Sequence, residues 1–298
     1  MNSQENEVKE VKNKKKINPY SVVLVAIGLL CIGIAVNGLY DAFSGYKEGQ
    51  DIYNEAENEF VQVNPPQIEV ETESEMIETE TTESTVIQPE EPEYPKGPWY
   101  QFISVDLAGM QAKYDEVVGW IFFENEEISY PVMHSEVDNE KYLTTAYNGG
   151  HTNVGSIYVD AYDSGDFSDT HTLIYGHTLH DYTMFTRLKY YKTKPGYYNN
   201  HPYFQIFTGD KIYRYQVFSC QDVSIDSFVY RENFKSAKVL SDRLLENSVI
   251  NPGLDISDND KIVTLSTCTT DKQHRLIVSA VLVEIYDRTT QTLIEMNE

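Results

Sequence analysis

The sequence predicts a mainly β fold, a closed or nearly closed barrel, behind one membrane-length helix. Three observations carry that prediction. Beyond Trp99 the chain turns tyrosine-rich, with β-favouring runs divided by Gly, Pro, Asn and Asp. Only short helical patterns interrupt those runs, and many strands with few helices imply a barrel. Residues Ser21 to Tyr40, SVVLVAIGLLCIGIAVNGLY, carry no charge, and such a run in helical form, at about 1.5 Å per residue, matches the roughly 30 Å of a bilayer's hydrocarbon core.

The elements are justified in order along the chain. Lys9, Lys12, Lys14, Lys15 and Lys16 precede the apolar run. By the positive-inside rule they keep residues 1–20 cytoplasmic, make 21–40 a single-pass transmembrane helix and send the rest outside the cell. A secretory signal is the rival reading, but its apolar region is about 7 to 15 residues and ends at a small-residue cleavage site, for which YDAFSG offers no pattern. Residues 41–98 follow as an acidic, flexible extracellular linker. The stretch IEVETESEMIETETTESTVIQPEEPE is almost free of aromatics and buries too little apolar surface to offset its ordering entropy. Within this span, YKEGQDIYNEAENEF can continue the membrane helix for a few turns.

Residues 99–298 are ample for one core. SVDLAGMQAKY reads as a helical lead-in. Strands are expected near 118–123, 128–133, 155–159, 172–175, 203–207, 212–223, 261–266 and 275–285, and FTGDKIY supplies a tight hairpin signal. A short helix is expected at TMFTRLKYY. A longer one falls in NFKSAKVLSDRLLENSVI, where Phe234, Val239, Leu240, Leu244, Leu245 and Val249 approximate one face.

The net charge of −24 argues against nucleic acid as a partner, because phosphate binding needs a basic footprint. Cys31 lies in the apolar run, which leaves Cys220 and Cys268 outside the cell. A bridge between those two is one reading of an exterior pair, and Cys268 as an inert small hydrophobe at a strand end is another. The third is a nucleophile. KIVTLSTCTT ends its apolar run at Cys268, THTLIYGHTLHDYTMF places His177 just past a strand end, and Arg275 opens the last strand seven residues after Cys268. If the two strands around that short loop are antiparallel neighbours, Cys268 and Arg275 share one end of the sheet. A free thiol is only a few per cent thiolate at neutral pH, so a neighbouring imidazolium or guanidinium is what makes it a nucleophile. Arg275 and a backbone N–H can stabilise an oxyanion, and a charged His177 can protonate a departing amine.

These residues stand in wording that resembles the sortases, the cysteine transpeptidases of Gram-positive cell surfaces. TLSTC precedes a final strand that bears an Arg, and YGH lies about ninety residues upstream. VVGWIFFENEEISYPVM, DNEKYL, GSIYVD and VINPGLDISDNDKIVTLSTC, with a helix between the last strands, are similar to class B members. The similarity runs from about Ile103 to Tyr286. It implies an eight-stranded sortase-type β-barrel with a helix inserted between the sixth and seventh strands, Cys268 as nucleophile, His177 as acid/base partner and Arg275 as the oxyanion- and substrate-stabilising residue. By motif position it implies Asn139, Leu143, Tyr175, Ser266 and Thr267 as substrate-binding residues, with Val229 and Tyr230 as walls of the groove. The implied substrates are secreted proteins with a C-terminal sorting signal similar to NPxTN, held as a thioacyl-enzyme and passed to an amine of the peptidoglycan precursor (lipid II) or to a pilin lysine. No cofactor or metal is expected. Two further readings stay open: a hydrolase without transfer, and a metal-binding module using His171, His177 and His180. The spacing of those three does not keep them on one face.

Overall fold

The computed structural model of the protein describes residues 19–63, 97–269, 271 and 273–296. The chain forms two compact units, residues 1–44 and 45–298. Helix α1 (Pro19–Phe60) supplies the described part of the first unit, where Leu24, Leu30, Ile34 and Leu39 are exposed. Most of the expected cytoplasmic segment 1–20 and, from Asn64 to Lys96, most of the expected linker lie outside the described residues.

In the second unit YKEGQDIYNEAENEF continues the helix, as one expectation had it, so the linker expected over 41–98 does not begin at residue 41. The stretch of α1 from Gly45 to Phe60 is helical, and Gly49, Tyr53, Ala56 and Phe60 are buried. These positions recur at spacings of three and four, the stripe of a helix laid on a core, while Asp51, Glu55, Asn58 and Glu59 face solvent. Strand β1 (Val61–Val63) continues α1 and pairs antiparallel with β2 (Ile103–Val105). Helix α2 (Leu107–Gln111) follows, its N-terminus capped by the Asp106 carboxylate accepting from Gly109 N at 2.9 Å.

The barrel begins with β3 (Val117–Phe123), β4 (Ser129–His134), β5 (Ile157–Val159) and β6 (His171–Tyr175). A 3₁₀ turn at Phe185–Lys189 runs into the short helices α3 (Tyr190–Thr193) and α4 (Tyr197–Asn200). Strands β7 (Tyr203–Phe207) and β8 (Lys211–Ser224) form the expected hairpin, and α5 (Ala237–Leu245) separates them from β9 (Ile262–Cys268) and β10 (His274–Asp287). The pairing order is β10-β8-β7-β3-β4-β5-β6-β9, and β9 also pairs with β10, so eight strands close on themselves. A short β11 (Thr292–Ile294) extends the free side of β10. Helix α5 stands between the sixth and seventh barrel strands, as the resemblance implied.

Closure buries Trp120, Phe123, Phe204, Phe207 and Tyr215 inside one core, and each such side chain contributes roughly 1.5–3 kcal/mol relative to exposure. A second cluster lies between the barrel wall and α5. Its helical face is Ala237, Leu240, Ser241 and Leu244, which corrects the expected one: Val239 lies within α5 on its solvent face, and Val249 is exposed because α5 ends at Leu245 and the periodic pattern was followed beyond it. Arg214 of β8 bridges the end of β3 to β10. Its guanidinium bonds Glu124 at 2.8 Å and Glu284 at 2.7 Å, while Gln205 donates both to Glu124 and to the Trp99 carbonyl.

The cysteines are all free. Cys220 is buried in β8 opposite Val278, whereas Cys268 pairs with Arg275 and is exposed. With β10 between them, β8 and β9 stand roughly 9–10 Å apart, beyond the span of a disulfide, so a Cys220–Cys268 bridge is ruled out in this fold. His171 is turned into the interior, with Nε2 2.9 Å from Thr264 Oγ1, and burial pulls its pKa down to about 4. It therefore does not join His177 and His180 as a ligand set.

Candidate active site

The register of three adjacent strands builds the site. In the parallel pair β6–β9, Tyr175 stands opposite Ser266, and continuing that register by two residues brings His177 level with Cys268. In the antiparallel pair β9–β10, Cys268 stands opposite Arg275. The three residue types that chemistry needs together thus occupy one row along the barrel rim, on neighbouring chains spaced by roughly 4.8 Å. A cavity of about 230 Å³ opens on this row, and His177, Cys268 and Arg275 all line it.

The imidazole is held from behind. His177 Nε2 lies 2.7 Å from the carbonyl of Leu143. A carbonyl only accepts, so Nε2 carries a proton and Nδ1 is the nitrogen left to exchange one. Gly155 makes that approach possible. Its φ is +60°, and a Cβ there would stand 2.6 and 2.7 Å from the carbonyls of Tyr142 and Leu143 and 2.9 Å from His177 Cδ2. No side chain fits. Beyond His177, the Thr178 hydroxyl donates to the Cys268 carbonyl at 2.9 Å and lies 2.8 Å from Thr267 Oγ1, which pins the strand end at Cys268 to the loop that carries His177. Arg275 donates to the His274 carbonyl at 3.0 Å, while His274 pairs with Asp271 at 2.8 Å.

Of the substrate-binding candidates, Asn139, Leu143, Tyr175, Ser266 and Thr267 line the same cavity. Tyr230 does not. Its hydroxyl lies 2.9 Å from Ser266 Oγ, its ring stacks on Tyr175 at 6.4 Å, and it borders a neighbouring groove that shares Asn139 and Tyr175. Val229 lines that same groove while packing into the cluster under α5. Glu140 and Tyr158 also line the cavity and went unassigned from the sequence.

The more consequential omission is Asp160. Its Oδ2 accepts from the Tyr175 hydroxyl at 2.8 Å and from the Asn139 amide at 2.9 Å, and Asn139 in turn accepts from Ala161 N at 2.8 Å. One buried carboxylate therefore fixes two wall residues. Burial and the Asp160 charge hold the Tyr175 hydroxyl well above its ordinary range, so it remains a donor. The signal was in the sequence, as the last residue of GSIYVD. Among the described residues no group of His, Cys, Asp or Glu is arranged to hold a metal ion.

The family model of the sortase domain matches residues 124–283. The chain belongs to the sortase family. It is 27% identical to sortase B of Listeria monocytogenes over 247 residues, 81% of this chain and 91% of the relative. The structure resembles that of a protein similar to sortase B from Bacillus anthracis, with a TM-score of 0.59 and 25% identity, covering 80% of this chain and 97% of the other. It also resembles a Staphylococcus aureus sortase B–substrate complex, with a TM-score of 0.54 and 28% identity over 59% of this chain and 83% of that one. These relatives make it a class B sortase, and hence a cysteine transpeptidase.

Proposed function

We propose that this sortase is a single-pass membrane protein whose exterior domain cleaves a C-terminal sorting signal similar to NPxTN and transfers the new carboxyl end to an amine of the peptidoglycan precursor. The observation that carries the reading is the single row of His177, Cys268 and Arg275 along one cavity. The Cys268 thiolate attacks the carbonyl carbon of the signal's Thr. A C–S bond forms and the carbonyl electron pair moves to oxygen, where Arg275 stabilises it. Collapse breaks the C–N bond, and His177, protonated at both nitrogens, delivers the Nδ1 proton to the departing amine. The acceptor amine then attacks the thioester, His177 takes its proton, and Cys268 leaves as thiolate. The helix Ile27–Phe60 is long and apolar enough, by length and composition, to cross a membrane, which supports the anchor.

The test is mass spectrometry of the protein after incubation with sorting-signal peptides, with and without an amine acceptor. An acyl adduct on Cys268 that disappears into an acceptor-linked product is expected. Hydrolysed peptide alone, whatever the acceptor, would refute transfer, and a full rate in Cys268→Ala would refute the nucleophile. In the same assay Asp160→Ala is expected to raise KM for the peptide about tenfold, with a smaller loss in kcat, because it frees both Asn139 and Tyr175 in the groove. A fall in kcat at unchanged KM would contradict that role.

A further inference from the structure

His177 hangs from two segments, and α1 grips both of them without entering the cavity. The first is the turn that presents the Leu143 carbonyl to its ring. Gly155 is the floor of that turn, in close approach to the Tyr142 and Leu143 carbonyls and to the ring itself. Ser156 N donates to the Tyr142 carbonyl at 2.9 Å, and Ser156 Oγ donates to that of Thr145 at 2.7 Å. The carbonyl of Gly155 accepts at 2.5 Å from the hydroxyl of Tyr53 on α1. Tyr53 is 5% exposed, and burial raises its hydroxyl well above the ordinary range, so it stays a donor. The second segment is the loop after His177. There Gln50 of α1 donates to Asp181 Oδ2 at 3.1 Å. The other oxygen of Asp181 accepts from the Thr183 hydroxyl at 2.7 Å, beside Tyr182 and Met184 at φ 65° and 53°. Those two positive-φ residues need outside support to persist. Gly49 seats the helix between these grips, with no room for a Cβ against Val154.

We propose that the Gly45–Phe60 stretch of α1 sets the orientation of His177 in the catalytic row, with Tyr53 as its positioning residue; this rests on the reading of His177 as the acid/base partner of Cys268. The ring of Tyr53 packs edge-on against Tyr130 at 5.5 Å, a contact that phenylalanine keeps. Only the hydroxyl reaches the floor of the site. Tyr53→Phe therefore separates packing from positioning.

The experiment uses the full-length chain and two assays: turnover of a sorting-signal peptide, and the pH dependence of Cys268 alkylation by iodoacetamide, which needs no signal. For Tyr53→Phe we expect kcat to fall about tenfold at unchanged KM, because small misplacements of an acid/base group are costly, and the alkylation profile to shift along the pH axis. A wild-type kcat and profile would overturn the proposal, as would a loss that only tracks the fraction unfolded. His177→Ala runs beside it: if that variant keeps wild-type turnover, the reading of His177 itself fails, whereas an inactive His177→Ala beside a wild-type-like Tyr53→Phe overturns the positioning role alone. Should Tyr53→Phe not fold, Gln50→Ala tests the second grip by the same shift, and an unshifted profile there overturns the proposal.

Discussion

A chain that begins at Trp99 is expected to melt at least about 10 °C below one that begins at Gly45. The shorter chain lacks Tyr53, Ala56 and Phe60, three members of the barrel's main core, and leaves β2 without its partner β1. Removing one buried aromatic costs about 3–5 kcal/mol, against a total stability of about 5–15 kcal/mol for a typical domain. Phe60→Ala in the full chain isolates one part of that loss, since the ring is 5% exposed. Calorimetry of the three proteins decides it, and equal melting temperatures for the Trp99 and Gly45 chains would show that α1 is dispensable to the core.

Gly155→Ala is expected to lower turnover about 100-fold or more while the protein stays folded. Two penalties coincide at this position. The backbone φ of +60° is strained for alanine, and the new methyl must displace two carbonyls and the imidazole of His177. One of those carbonyls, that of Leu143, is the one bonded to the ring, so relief of the clash moves the His177 ring away from Cys268. Gly209→Ala is the control, for a Cβ there meets nothing within 4 Å. Steady-state kinetics with circular dichroism separates loss of geometry from loss of fold. Wild-type turnover in Gly155→Ala would mean that the Leu143 contact has no part in catalysis.

The placing of His177, Cys268 and Arg275 in one row was legible because its grammar is local. Each member sits at or just past the end of a strongly apolar strand, and the loop from Cys268 to Arg275 is too short for anything but adjacent antiparallel strands. The parallel pairing of β6 with β9 was not legible, since nothing local in Thr172–Tyr175 names Ile262–Ser266 as its neighbour. The inner stripe of α1 escaped for another reason. Gly49 and Ala56 are half of it, and small residues that let a helix approach closely add almost nothing to a hydropathy pattern set among many acids. Asp160 was readable as a member of GSIYVD but not as the hub of Asn139 and Tyr175, because two hydrogen bonds across a groove leave no periodic trace. The end of α5 was misplaced since Val249 continued the spacing after the helix had stopped.

The closing seam of the barrel also sets an order of assembly. Strands β9 and β10 form a hairpin, so Cys268 and Arg275 meet through a short loop. Thr178, next to His177, reaches Cys268 across 90 residues of chain, and a loop of that length closes at greater entropic cost and later than a hairpin. A folding chain therefore carries the Cys268 thiol beside the Arg275 guanidinium first and acquires the His177 imidazole last. Until the barrel shuts, His177 stands apart from Cys268, so the complete row of three residues exists only in the closed fold.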